Sequence, residues 1–190
     1  PYGELRFTDS PNQSFKELLP EQTILLGSFS KTVVPSFRIG WLVAPKEILE
    51  KIIIAKQASD LHTNSFSQRI LFEYLQHNDF DTHINKIKNV YFTQKQAMIN
   101  SIEKYFPNDI HYTKPEGGMF LWVTLPENFS SLHLFHSALK DNVAFVPGNP
   151  FYINRKDTNT LRLNFSCVDE ATIEVGIKRL ALSIQNLLVK

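Results

Sequence analysis

Between Phe80 and Phe106 the apolar residues fall at Phe80, Ile84, Ile87, Val90, Tyr91, Ala97, Met98, Ile102 and Tyr105, a helical period held across the whole stretch until Pro107 stops it. A helix of that length is more than one small domain needs for its own core, and it commonly bridges two bodies. The pattern therefore divides the chain into residues 1–79 and residues 80–190, the latter made of the linking helix and whatever folds behind it.

In the first part, residues 23–28 (Thr-Ile-Leu-Leu-Gly-Ser) and 39–44 (Ile-Gly-Trp-Leu-Val-Ala) are short apolar runs bounded by turn chemistry, as expected of buried strands covered on both faces. Pro45 ends the second run. Apolar residues at 48, 49, 52, 53 and 55 then predict a helix from Lys46 to Ser59, and Thr63, Asn64 or Ser65 can cap another running to Leu75. Two strands and two helices are too few for a doubly wound sheet, so this part reads as the C-terminal portion of a larger α/β domain. Behind Pro107 the texture is mixed: strands over Ile110 to Thr113, Met119 to Leu125, Val143 to Val146 and Thr160 to Ser166, and helices over Ser131 to Lys140 and Glu170 to Leu188, the last capped at Asp169. That order predicts a small α+β domain.

Lys plus Arg at 20 against Asp plus Glu at 19 gives a net charge of +1, which leaves no field to draw nucleic acid to this segment. Any bound anion has to be held locally. No apolar run approaches the ~20 residues that span a bilayer, and a cytoplasmic location is expected. A single cysteine, Cys167, excludes an internal disulfide and reads as a small buried residue. His133 and His136 share a helix face at i, i+3 but have no acidic or thiol partner nearby in sequence, so no metal is expected.

The chemistry concentrates on Lys31, which lies in a polar loop between the two apolar runs, flanked by Ser28 and Ser30 and followed by Arg38. A lysine that forms a Schiff base must supply a neutral amine, and burial beside other cations favours that form. Arg38 and the two hydroxyls suit a phosphate dianion, the arginine through its bidentate fork. The group that fits both demands is pyridoxal 5′-phosphate. A Ser-x-x-Lys pair also occurs in penicillin-binding proteins, but Lys31-Thr32 is followed by Val33 instead of glycine and no Ser-Asp-Asn is present. Each residue also has a structural alternative: Lys31 an ordinary surface lysine, Arg38 a surface ion pair, the serines turn hydroxyls.

The run Gly27-Ser28-Phe29-Ser30-Lys31-Thr32, followed by Pro35-Ser36-Phe37-Arg38-Ile39-Gly40-Trp41, resembles the cofactor-lysine segment of fold-type I, class I/II aminotransferases. The likeness continues through Lys56-Gln57-Ala58-Ser59-Asp60-Leu61-His62-Thr63, Gly117-Gly118-Met119-Phe120, Val143-Ala144-Phe145-Val146-Pro147-Gly148 and Leu161-Arg162-Leu163-Asn164-Phe165. This order is similar to the 2-aminoadipate aminotransferase subgroup and to the aminotransferase-like domains of MocR/GntR-type regulators. The resemblance implies that Lys31 is catalytic, that Ser28, Ser30 and Arg38 hold the cofactor phosphate, that Tyr2 meets its ring oxygen, and that Arg162 grips the substrate carboxylate. Tyr2 and Arg162 have alternatives too, as a packing aromatic and as a solvated strand-edge residue.

The resemblance further implies an α/β fold, the C-terminal part of the large cofactor domain over 1–79 followed by a linking helix and small α+β domain over 80–190, in a homodimer. Amino acid and 2-oxo acid would be the substrates, or an amine the effector in a regulator. The aspartate that the family sets against the pyridine nitrogen would fall three residues before Tyr2, just outside this chain, and the family's glycine-rich phosphate loop, stacking aromatic and O3′ asparagine are absent from it. The chain is accordingly expected to be a fragment that by itself binds the cofactor weakly or not at all.

Overall fold

The computed structural model describes residues 2–8, 13–154 and 157–188. The chain forms two compact units, Pro1–Ile87 and Lys88–Lys190.

In the first unit a 3-10 turn, Gly3–Leu5, follows Tyr2 and buries Leu5 completely. Helix α1 (Phe15–Leu18) is capped by Ser14, whose hydroxyl accepts from the Glu17 amide at 3.1 Å. Strands β1 (Leu25–Ser28) and β2 (Gly40–Val43) form an antiparallel pair in the register Leu25 to Val43 and Ser28 to Gly40. Trp41 lies across Gly27, where a Cβ would stand 2.0 Å from the indole, so this position has no room for a side chain.

These strands correct the expectation of a pair covered on both faces. Leu26 is 66% exposed, and Trp41 and Val43 stand open as well, because among the described residues each strand has only the other as neighbour. The apolar side chains of the two runs are thus left partly open among the described residues.

Helix α2 (Lys46–Ser59) forms over the residues its period predicts and ends in a clasp, with the Lys56 ammonium 2.8 Å from Asp60 and 3.2 Å from the Thr63 hydroxyl. Leu61 takes the left-handed conformation inside it, φ 62°. Asn64, one of the three caps the sequence offers, starts α3 (Ser65–His77) by accepting from the Ser67 amide at 2.9 Å. Helix α4 (Phe80–Tyr105) begins in the first unit and runs on into the second.

The second unit is built on a four-stranded antiparallel sheet of β3 (His111–Tyr112), β4 (Phe120–Thr124), β5 (Val146–Pro147) and β6 (Thr160–Asn164), in the order β3-β4-β6-β5. Period-two alternation decides its faces. Leu121, Val123, Leu161 and Leu163 are buried, while Phe120, Trp122 and Arg162 lie half-exposed on the other side. The buried face joins Met98 and Ile102 of α4, Leu134 of α5 (Ser131–Lys140) and Ile177, Leu180 and Ile184 of α6 (Glu170–Leu188) in one core. Ser130 and Asp169 cap α5 and α6. On α4, burial pushes the Lys95 ammonium below its ordinary pKa, and its Nζ reaches the Pro115 carbonyl at 3.3 Å ahead of β4.

Two expectations fail here. The strand expected over Val143 to Val146 pairs only at Val146–Pro147, because α5 closes through Asn142 at φ 58° and the Val143 amide turns back to the Ala138 carbonyl. Cys167 is exposed, since the chain leaves the sheet after Phe165 and turns through Ser166 toward α6. No helix among the described residues is long and apolar enough to cross a membrane.

Leu121 is fully buried at the centre of this core. Leu121→Ala is expected to lower the unfolding free energy by about 2–5 kcal/mol, through lost burial and the cavity left behind. Urea unfolding followed by circular dichroism measures it.

Candidate functional site

The loop between β1 and β2 is shaped by a small set of backbone bonds. The Phe29 amide donates to Ile39 at 3.1 Å, extending the strand pairing past Ser28, and the Val33 and Val34 amides both donate to the Phe29 carbonyl, at 2.9 and 3.1 Å. This folds Ser30, Lys31 and Thr32 into a tight excursion. Within it the Ser28 hydroxyl accepts from the Ser30 amide at 3.1 Å, and Arg38 Nη1 donates to the Ser30 hydroxyl at 3.5 Å and to the Pro35 carbonyl at 3.2 Å.

Ser28, Ser30 and Arg38, ten residues apart in sequence at their extremes, are thereby brought together around Lys31. The two hydroxyls accept from inside the loop and keep their own protons to donate outward. Arg38 takes a left-handed backbone, φ 54°, which costs a non-glycine residue about 1–2 kcal/mol. The 3-10 turn Pro35–Phe37 holds it there, with the Arg38 amide on the Pro35 carbonyl. Strain of this kind aims a side chain that a relaxed backbone would direct elsewhere.

Lys31 is half-buried, and among the described residues no carboxylate pairs with it. Its neighbour Thr32 is only 3% exposed, and the Thr32 carbonyl accepts from His83 Nε2 at 2.9 Å. His83, in the first turns of α4, is set in turn by the rings of Tyr74 and Phe80, with centroids 5.9 and 6.5 Å away. His83 thus pins the backbone next to Lys31, a role the sequence reading missed. The contact spans fifty-one positions, and an isolated histidine on a helix carries no local sign of it. Tyr2 is half-buried at the start of the Gly3–Leu5 turn, its carbonyl accepting from the Leu5 amide.

Arg162 belongs to the second unit, on β6, with Trp122 opposite it on β4 and Val146 on β5. Its guanidinium carbon lies 3.9 Å from the centroid of the Phe120 ring and 5.0 Å from that of Phe151. Its Nε is buried without a hydrogen-bond partner, and no carboxylate among the described residues pairs with it. A cavity of about 500 Å³ opens beside it, lined in part by Phe120, Val146, Asn164, Val168 and Ile173. Phe120 and Phe151 also escape the sequence, where Phe120 falls in the strand expected over Met119 to Leu125 and nothing singles out Phe151. No group of three metal-ligating side chains occurs among the described residues.

The first unit therefore offers a lysine within a cradle of cation and hydroxyl donors, and the second an arginine on an aromatic surface beside an apolar cavity. In sequence, the chain is 45% identical over 186 residues to aromatic-amino-acid aminotransferase 1 of Thermococcus litoralis, covering 97% of this chain and 45% of that protein. It is 31% identical to the HTH-type transcriptional regulator YisV of Bacillus subtilis, across 99% of this chain and 39% of that one. In structure it superimposes with a TM-score of 0.95, at 39% identity, on LysN, the alpha-aminoadipate aminotransferase of Thermus thermophilus, solved in complex with N-(5′-phosphopyridoxyl)-L-leucine. That match covers 99% of this chain and 49% of LysN, so the chain spans about half the length of the relatives it matches. The family profile described as aminotransferase class I and II matches residues 2–180, and with these likenesses the chain is a member of the class I and II aminotransferase family, with the mixed helix and sheet fold of that group.

Proposed function

We propose that the whole protein is a pyridoxal phosphate-dependent aminotransferase that moves the amino group of an L-amino acid to a 2-oxo acid. The observation that carries this is the convergence of Ser28, Ser30 and Arg38 on the Lys31 loop. The donor set fits the cofactor. Two hydroxyls with protons to give and a guanidinium match a phosphate dianion, and a lysine paired with no carboxylate among the described residues is available to bond an aldehyde carbon.

In this reading Ser28, Ser30 and Arg38 would hold the phosphate, Tyr2 would meet the ring oxygen, and Lys31 would supply the amine that holds the cofactor. Bound, the cofactor supplies an electron sink for the charge left when the substrate α-carbon loses its proton. Lys31 Nζ takes that proton from the α-carbon and later returns a proton on the product side, as general base and then general acid. His83, through the Thr32 carbonyl, keeps the lysine backbone from drifting while Nζ moves. Arg162 binds the α-carboxylate through its planar fork. Donor and acceptor both carry that carboxylate, so one arginine serves both halves of the reaction.

Residues 1–79 then supply the C-terminal part of the cofactor domain, and residues 80–190 the linking helix and small domain, of a cytoplasmic homodimer. The likeness to YisV supports a second reading, in which the same fold is the cofactor- and effector-binding domain of a MocR/GntR-type regulator. The coding sequence upstream of Pro1 separates the two: a winged helix-turn-helix there selects the regulator.

In the whole protein, Lys31→Ala is expected to abolish both the visible absorbance of lysine-bound cofactor and turnover, and transamination by that variant would overturn the assignment. Arg162→Lys is expected to raise KM for amino acid and 2-oxo acid alike by roughly tenfold to a hundredfold, for loss of a bidentate charge-assisted contact, with a smaller effect on kcat. Steady-state kinetics with each substrate varied in turn measures this.

A further inference from the structure

We infer that Phe151 is a positioning residue for Arg162, and that the turn carrying it is built to hold its ring against the guanidinium. This rests on the reading of Arg162 as the carboxylate receptor.

An arginine that must receive a ligand carboxylate needs a fixed direction, yet a fixing carboxylate of the protein would occupy the fork it has to offer. Arg162 meets this conflict with aromatic rings. Its guanidinium lies over Phe120 at 3.9 Å and near Phe151 at 5.0 Å, while its Nε is buried with no acceptor. A ring face attracts the cation without using an N–H, so orientation comes from the rings and the terminal N–H groups stay available. Phe120 is part of β4, where the pairing with Asn164 sets its place. Phe151 lies outside the sheet and needs support of another kind.

That support is visible beneath it. Phe151 ends the 3-10 turn Asn149–Phe151, and its amide donates to the Gly148 carbonyl at 2.9 Å. Under the turn the Asn149 side-chain carbonyl accepts from the hydroxyls of Ser131 and Thr158, each at 3.4 Å, and those hydroxyls lie 3.3 Å apart. Ser131 and Thr158 are 0% and 5% exposed, a degree of burial that polar side chains reach when they are bonded. Gly148 seats the turn: a Cβ there would fall 2.1 Å from the Thr160 hydroxyl and 2.7 Å from the Thr160 carbonyl. Above, the Phe151 ring meets Trp122 edge-to-face, 5.2 Å between centroids at 84°. Yet Phe151 remains 47% exposed, more than a residue used only for core packing would be.

The test is calorimetric titration of the whole protein with 3-phenylpropionate and with its neutral isostere 3-phenylpropionamide, for wild type, Phe151→Leu, Phe151→Tyr and Arg162→Gln. Wild type is expected to prefer the carboxylate. Phe151→Leu should lose that preference by roughly three- to tenfold, the range of a partly desolvated cation–π contact, while its affinity for the amide holds. Phe151→Tyr, which keeps the ring, should retain the preference. Gly148→Ala, which displaces the turn but keeps the phenylalanine on it, should reproduce the loss seen in Phe151→Leu. If Phe151→Leu matches wild type while Arg162→Gln loses the preference, the positioning role is wrong and the Arg162 reading stands. Equal weakening of both ligands in Phe151→Leu makes Phe151 a cavity wall and also overturns the role. If Arg162→Gln, which removes the charge, keeps the preference, or wild type shows none, the reading of Arg162 itself fails and the inference with it.

Discussion

The pairing of β4 with β6, Trp122 opposite Arg162, is the constraint on which the second unit depends. Side chains alternate across a strand, so this register sends Leu121, Val123, Leu161 and Leu163 into the core and leaves Phe120, Trp122 and Arg162 together on the other face. A slip of one residue would bury the arginine and expose the leucines. The hydrophobic core therefore selects the register, and the register places the functional face. Stability and chemistry are here two sides of the same alternation, and Arg162 sits in the middle of a central strand with no counter-ion among the described residues.

The first unit solves a different problem. A lysine that has to reach a bound group cannot lie in a strand, where its direction is fixed, nor in a loose loop, where it has none. The excursion between β1 and β2 lies between these: two amides share the Phe29 carbonyl, His83 holds Thr32 from a distant helix, and Arg38 accepts a left-handed backbone to bring its fork beside Ser30. Most of the loop is fixed by its backbone and leaves the side chains for other work. In both units the candidate ligand-binding groups are oriented by contacts other than ion pairs, which keeps their charge available.

Much of the fold was legible in the chain. The helices over 46–59 and 131–140 and the long helix starting at Phe80 lie where the sequence puts them, and Asn64 and Asp169 cap as their chemistry suggests. The short strand at Val146 was misplaced because the closing turn of α5 borrows the residues before it, an event set by Asn142 and Val143 bonding backwards. Burial was the harder quantity. Apolar runs such as Leu25–Ser28 say that a strand is made to be covered, but not by what, and in these residues β1 and β2 cover only each other. The loop around Lys31 and the serines could be singled out from their order in the chain; His83, Phe120 and Phe151 could not.

By itself, then, the sequence determined the local elements, the place of the lysine loop between two strands, and membership in a family of known residue order, because periodicity, capping and turn chemistry act over a few residues. Only the tertiary structure decided which distant groups meet: His83 on Thr32 across fifty-one positions, and Phe151 on Arg162 over a buried cluster of hydroxyls. Such contacts come from register and packing, which close over long loops and leave no repeating mark in the chain.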